Sequence, residues 1–237
     1  MTKWPTLPVL RGFTEIKEIY DIVYDHGGYI CGGWVRYMVS PVANPAPSQD
    51  VDVYCPDEDT YLAITEALEM IADGIYTSAV STTFNKFKDR PHIPPVQVIK
   101  PRTDGRLVTE GTLQDVLENF DFTICRAGLI NSEEAVVDPD FVEDETEKRI
   151  RIKNVHCAFG NMMRVMKYHS RGYKVLPSDL IPLFEDWTYA RDEEYRHKLL
   201  SGLKASEEAL RLKLTGADSP WTSEDFRKEL YEMMLID

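Results

Sequence analysis

Four things are scarce in this 237-residue chain, and each scarcity excludes a class of protein. Cysteine occurs four times, at 31, 55, 125 and 157, with no Cys-x-x-Cys pair. That spacing suits no zinc ribbon, and the apolar surroundings of the four make small, buried, reduced thiols the expectation. Long apolar runs are missing: nowhere do eighteen apolar residues follow one another, and residues 1–11 hold no core for a signal peptide. The expectation is a soluble, cytoplasmic protein without membrane contact. The five histidines are scattered, none in a ligand-like pair, so they offer no nucleophilic or metal constellation. Positive charge is short as well, 27 Lys and Arg against 40 Asp and Glu, a net charge of −13. Such a surface opposes long-range capture of nucleic acid and confines any RNA site to a local patch.

What the chain does have is enough apolar sequence for one large or two small domains, and one stretch in which chemistry is concentrated. Tyr29-Ile30-Cys31-Gly32-Gly33-Trp34-Val35-Arg36 reads as a short strand breaking at two glycines into a helix, a turn whose successive N–H groups suit phosphate. Three prolines between 40 and 49 then exclude helix and central strand, making a loop. Asp50-Val51-Asp52-Val53 alternates with period two, so a strand there puts both carboxylates on one face and both valines on the other. Magnesium takes one or two protein carboxylates and leaves its remaining positions to water and phosphate oxygen. Singly, Gly-Gly is commonly a turn and Asp-x-Asp a solvated strand end; the order of the two, with Arg36 close behind the glycines, favours a metal and phosphate site.

Elsewhere the pattern predicts a helix over 13–26 carrying Ile16, Ile19, Tyr20 and Val23, a second over 57–72 ended by Gly74, and strands over 76–80 and 96–100. Lys86, Lys88 and Arg90 form a basic loop with no assigned role. A short helix over 112–119 is capped by Thr112 with Asp115 in its first turn. Residues 120–130 read as one strand with a hairpin partner at 135–139, and 142–147 as an acidic turn. A helix over 154–171 places Arg164, Lys167 and Arg171 on one face, and leucine spacing makes 177–237 helical.

Gly-Gly-x-Val-Arg followed by Asp-x-Asp resembles the head of the tRNA nucleotidyltransferase (CCA-adding enzyme) and poly(A) polymerase family, within the DNA polymerase beta-like nucleotidyltransferases. The resemblance extends over roughly 12–175: Gln97 to Arg102 matches a strand of the type Glu-Val-x-x-x-Arg, Asn119 to Arg126 matches Arg-Arg-Asp-Phe-Thr-Ile-Asn-Ala, and Asp138-Pro139 ends the following hairpin. It implies an α+β fold, a mixed-sheet polymerase beta-like head over 1–142 and a helical neck and tail over 143–237. It implies Mg2+ or Mn2+ on Asp50 and Asp52, the triphosphate at Gly32 and Gly33, and nucleotide contacts from Arg36, Asp121, Asn161, Arg164 and Lys167. The partners implied are a nucleoside triphosphate such as ATP and an RNA 3′ end such as that of tRNA, with pyrophosphate as the leaving group. Several charged family positions are changed here: Gln97 stands for an acid, Asn119 and Phe120 for two arginines, Gly160 and Asn161 for an acidic pair. Since Asn161 offers both a donor and an acceptor, the expected base preference departs from a strict C-then-A order. A catalytically weak or inactive fold, acting as a nucleotide- or RNA-binding or interaction module, is the alternative.

Overall fold

Alternation in the central segments dictates a sheet buried on one face, and the computed structural model contains one. It describes residues 4–104, 107–156 and 158–184. In chain order the elements are β1 (Thr6–Pro8), α1 (Lys17–Asp25), β2 (Tyr29–Cys31), α2 (Gly33–Val39), β3 (Val51–Tyr54), α3 (Glu58–Glu69), β4 (Ala72–Thr77), β5 (Ser81–Phe87) and β6 (Val96–Ile99). There follow β7 (Thr103–Asp104), β8 (Leu107–Val108), α4 (Leu113–Asn119), β9 (Ala127–Leu129), β10 (Glu134–Val137), α5 (Phe141–Glu147), β11 (Arg149–Ile150), α6 (Ala158–His169) and β12 (Lys174–Val175). Eight strands form one mixed sheet in the order β1-β10-β9-β2-β3-β6-β5-β4. Its β3–β6 pair is parallel and its other pairs are antiparallel.

The two faces differ as the alternation requires. Val51, Val53, Val96, Val98 and Phe84 are fully buried in a core shared with Ile19 and Val23 of α1 and Ile64 and Leu68 of α3. The residues between them, Asp52, Tyr54 and Gln97, look to the other face. There a second core gathers Cys31, Leu117, Phe120, Phe122, Ile124, Val165, Tyr168 and Tyr173, so that α4 and α6 flank a strip of sheet that remains polar.

Several expected elements differ. Residues 120–130 are not one strand: Phe122 makes an isolated bridge to Ile152, Thr123–Cys125 is a 3₁₀ turn, and only Ala127–Leu129 joins the sheet. The cause is competition for backbone groups, because Asp121 O accepts from Lys153 N (2.7 Å) and Thr123 N donates to Arg151 O (3.2 Å). Asp121 therefore does not lie beside the Val96 strand, whose neighbours are β3 and β5. The acidic segment expected as a turn is helix α5, with Asp144 and Glu145 buried and paired rather than solvated. The strand expected over 76–80 starts at Ala72, and Gly74 lies at a bulge within it rather than beyond a helix end. The basic segment contributes to β5, where Phe84 and Phe87 are buried on either side of exposed Asn85 and Lys86. The helices expected beyond residue 184, and Cys157, lie outside the described residues. Among the described residues, Cys31, Cys55 and Cys125 are buried and free.

Candidate active site

Gly32 joins β2 to α2 at φ +80° and ψ −140°, a conformation natural only to glycine. A side chain there would come within 3.1 Å of Asp52 Oδ2 and 3.3 Å of the Phe120 ring, so the carboxylate lies directly against the turn. Gly32 N–H is committed to Ala127 O (2.8 Å) and Gly32 O accepts from Arg36 N (2.9 Å). The N–H groups of the first turn of α2, from Gly33 on, have no intrahelical acceptor. A Cβ on Gly33 would meet Ser48 Oγ at 2.8 Å, and that hydroxyl also reaches Asp50 Oδ1 at 3.4 Å. Turn, hydroxyl and both carboxylates are thus neighbours, with Asp50 just ahead of β3, which begins at Val51, rather than within it.

Asp52 is paired in register with Cys31 on one side and Gln97 on the other. Its pKa is pushed up to about 7, first by burial and then by the Asp50 charge, while Arg164 and Lys167 on α6 pull it the other way. Both cations thus favour the ionised form of Asp52. Among the described residues no group of three or more His, Cys, Asp or Glu gathers. Gln97, where a third acid would stand, donates through Nε2 to Ser81 Oγ (2.8 Å). Two adjoining carboxylates, one ionising reluctantly, fit a divalent cation that takes its other ligands from water and phosphate.

The opposite wall is built around Asp121, which is 3% exposed. Its Oδ2 pairs with Arg164 Nη1 (3.0 Å) and accepts from Asn161 Nδ2 (3.1 Å), whereas Oδ1 is buried without a partner among the described residues. Asn161 Nδ2 also donates to Asn154 O (3.3 Å), so the amide nitrogen faces two acceptors of the framework. The Arg164 guanidinium lies 5.3 Å from the Phe122 ring centre, with its side chain 46% exposed. Lys167 is exposed one turn further along α6. Asp121, Asn161 and Arg164 are therefore brought together. Arg36 is placed elsewhere: it is 0% exposed, with Nη1 bonded to Glu145 Oε1 (3.0 Å) and Tyr173 OH (2.9 Å) and Nη2 to Ala46 O.

Sequence reasoning did not single out Ser48, Tyr54, Glu145 or Tyr173. Ser48, two residues before an aspartate in a proline-rich loop, carried a local signal. Tyr54, in the strand itself, packs on Phe120 with ring centres 5.2 Å apart. Glu145 and Tyr173 lie 109 and 137 residues from Arg36, beyond any local pattern. Asn119 and Phe120 do framework work: Asn119 Oδ1 accepts from Val108 N (3.0 Å), and Phe120 lies against Gly32.

The chain is similar to a CCA-adding enzyme solved in complex with CTP, at 13% identity and a TM-score of 0.53 over 94% of this chain and 51% of that one. It is similar also to a tRNA-processing enzyme solved with CTP, at 16% identity and a TM-score of 0.51 over 90% and 54%. The chain spans about half the length of these structures. At such identities the likeness establishes the fold, a mixed α+β nucleotidyltransferase fold of the polymerase beta-like kind, and the resemblance to CCA-adding enzymes holds at that level. No curated protein matches the chain by sequence. No helix among the described residues is long and apolar enough to cross a membrane. The model of a different family, described as Gabija anti-defense 2 (Gad2), matches residues 9–148, more than half of the sequence, and the chain belongs to the Gabija anti-defense 2 family.

Proposed function

We propose that this protein is a metal-dependent nucleotidyltransferase of the cytoplasm whose transfer reaction serves to counter Gabija. The observation that carries the reading is the contact of the glycine turn with the carboxylate pair, Gly32 against Asp52 and Ser48 beside Asp50. In this reading Asp50 and Asp52 hold Mg2+ or Mn2+. The ion would neutralise charge on the phosphoryl oxygens and lower the pKa of the attacking hydroxyl. The chain's own part is positioning. The first turn of α2 offers N–H groups to the triphosphate, Lys167 and Arg164 supply the cations facing it, and Asp121 with Asn161 braces the wall against the base. An acceptor hydroxyl attacks the α-phosphorus, the bond to pyrophosphate breaks, and the acceptor's proton leaves to solvent.

The acceptor we favour is an RNA 3′ end such as that of tRNA, as the solved neighbours handle CTP and are described as CCA-adding or tRNA-processing enzymes. Residues 1–142 would form the catalytic head and 143–237 a helical neck and tail. One observation supports a binding or interaction module instead: the third acidic position is Gln97, already bonded to Ser81. The deciding experiment incubates the purified chain with each α-labelled nucleoside triphosphate, Mg2+ or Mn2+, and total RNA, alongside a test of protection against Gabija in cells. Label transfer to RNA, and protection, are both expected and both lost in Asp50→Ala and Asp52→Ala. Protection that survives these substitutions would assign the anti-defense role to the module reading.

A further inference from the structure

The loop that delivers Ser48 and Asp50 has no helix or strand of its own, so side-chain hydrogen bonds must fix it. Arg11 Nη1 donates to Ser40 O (3.1 Å) and Val42 O (3.3 Å), and Arg36 Nη2 donates to Ala46 O. Arg36 is in turn held by Glu145 of α5 and by Tyr173, which follows α6. Tyr173 OH donates to Glu145 Oε2 (2.6 Å), and Ser40 Oγ donates to Glu145 Oε1 (2.8 Å). One buried cluster thus joins the helix after the glycine turn, the loop before the carboxylates, α5, and the end of the helix that carries Asn161, Arg164 and Lys167.

Stability alone does not account for this cluster. Apolar groups of the same volume stabilise a core as well as or better than a buried ion pair, and Arg36 Nε is buried without a partner among the described residues. What a guanidinium, a carboxylate and a phenol add is fixed direction and distance. We propose that Glu145 and Tyr173, acting through Arg36, are positioning residues that hold the Asp50 loop in register with α6, so that the metal carboxylates and the nucleotide-facing cations stand across one site. The proposal rests on the nucleotidyltransferase reading and gives Arg36 a place behind the site rather than in it.

Tyr173→Phe tests it, since the ring stays and only the hydroxyl shared by Arg36 and Glu145 is removed. Ser40→Ala, which deletes one bond to Glu145 and the bond that Ser40 Oγ accepts from Val42 N (3.3 Å), is the second variant, and Thr112→Ala in the exposed cap of α4 is the control for general destabilisation. The full chain is titrated with Mn2+ in the presence of a non-hydrolysable nucleoside triphosphate. Turnover is then measured as kcat and KM well below the melting temperature. Tyr173→Phe is expected to weaken Mn2+ binding at least fivefold and to lower kcat at least tenfold with KM for the triphosphate within about threefold. Ser40→Ala should move the same way by a smaller factor, and Thr112→Ala should leave both within twofold. Unchanged Mn2+ affinity in Tyr173→Phe and Ser40→Ala overturns the positioning role. Wild-type binding without turnover removes the transferase reading and leaves the affinity comparison to decide the positioning role; no wild-type binding overturns both.

Discussion

Asp52 is held where ionisation is unfavourable, and this makes it a reporter for the site. Its pKa is raised to about 7 from an ordinary value of 3.8, by burial and by Asp50. For a carboxyl group whose folded pKa lies above the unfolded one, the stabilising contribution is complete below about pH 3.8 and is lost as pH rises through about 7. Asp52→Asn abolishes that loss. The melting temperature of the variant relative to wild type should therefore climb between pH 4 and 8, at roughly 2–4 °C for each kcal/mol recovered. Mg2+ should raise the wild-type melting temperature at pH 8 and leave Asp52→Asn almost unmoved. A difference between the two proteins that is flat with pH would remove the burial of Asp52 as its cause. The sequence already put this aspartate on the polar face of a strand, because alternation with Val51 and Val53 is a local property. It did not reveal that Arg36 would be buried, since the partners that bury it are more than a hundred residues away.

Among the elements, those whose signals are complete within a few residues were legible. Thr112 and Asp115 form a capping box, each side chain bonding the other's backbone N–H, and α4 begins where that pair requires. Thr112→Ala should cost about 1 kcal/mol, seen as a lower midpoint in urea with an unchanged slope; an unchanged midpoint would mean that α4 is set by packing of Val116 and Leu117 alone. The strands at β2, β3 and β6 were equally readable from alternation and their flanking glycines and prolines. Residues 120–130 were not: Phe120, Phe122 and Ile124 alternate with Asp121 and Thr123 as a strand's residues would, yet the segment's hydrogen bonding is settled by distant residues 151–154. Helix α5 was hidden for a different reason. Glu143 and Asp144 in its first turn suit a helix N-terminus, but acidity reads as solvation until Arg151 and Arg36 are seen to pair with Asp144 and Glu145.

For the whole molecule the governing quantity is the net charge of −13, and it limits how the proposed RNA acceptor could be held. A protein that binds single-stranded nucleic acid through Z phosphates loses affinity with salt at a slope of about −0.7Z in log–log terms. A surface of this sign supplies no broad attractive field, so capture of an RNA acceptor would depend on a few local cations, with exposed Lys167 on α6 the candidate beyond ion-paired Arg164. Two or three phosphate contacts give an expected slope of about −1.5 to −2 for binding of a tRNA 3′ end, measured by fluorescence anisotropy between low and physiological salt. Lys167→Gln should make the slope shallower by about 0.7 while leaving the melting temperature unchanged, because this side chain is exposed. A slope steeper than about −4 would require an extended basic groove and would move the RNA site away from α6. Affinity insensitive both to salt and to Lys167→Gln would overturn an RNA acceptor held by these cations.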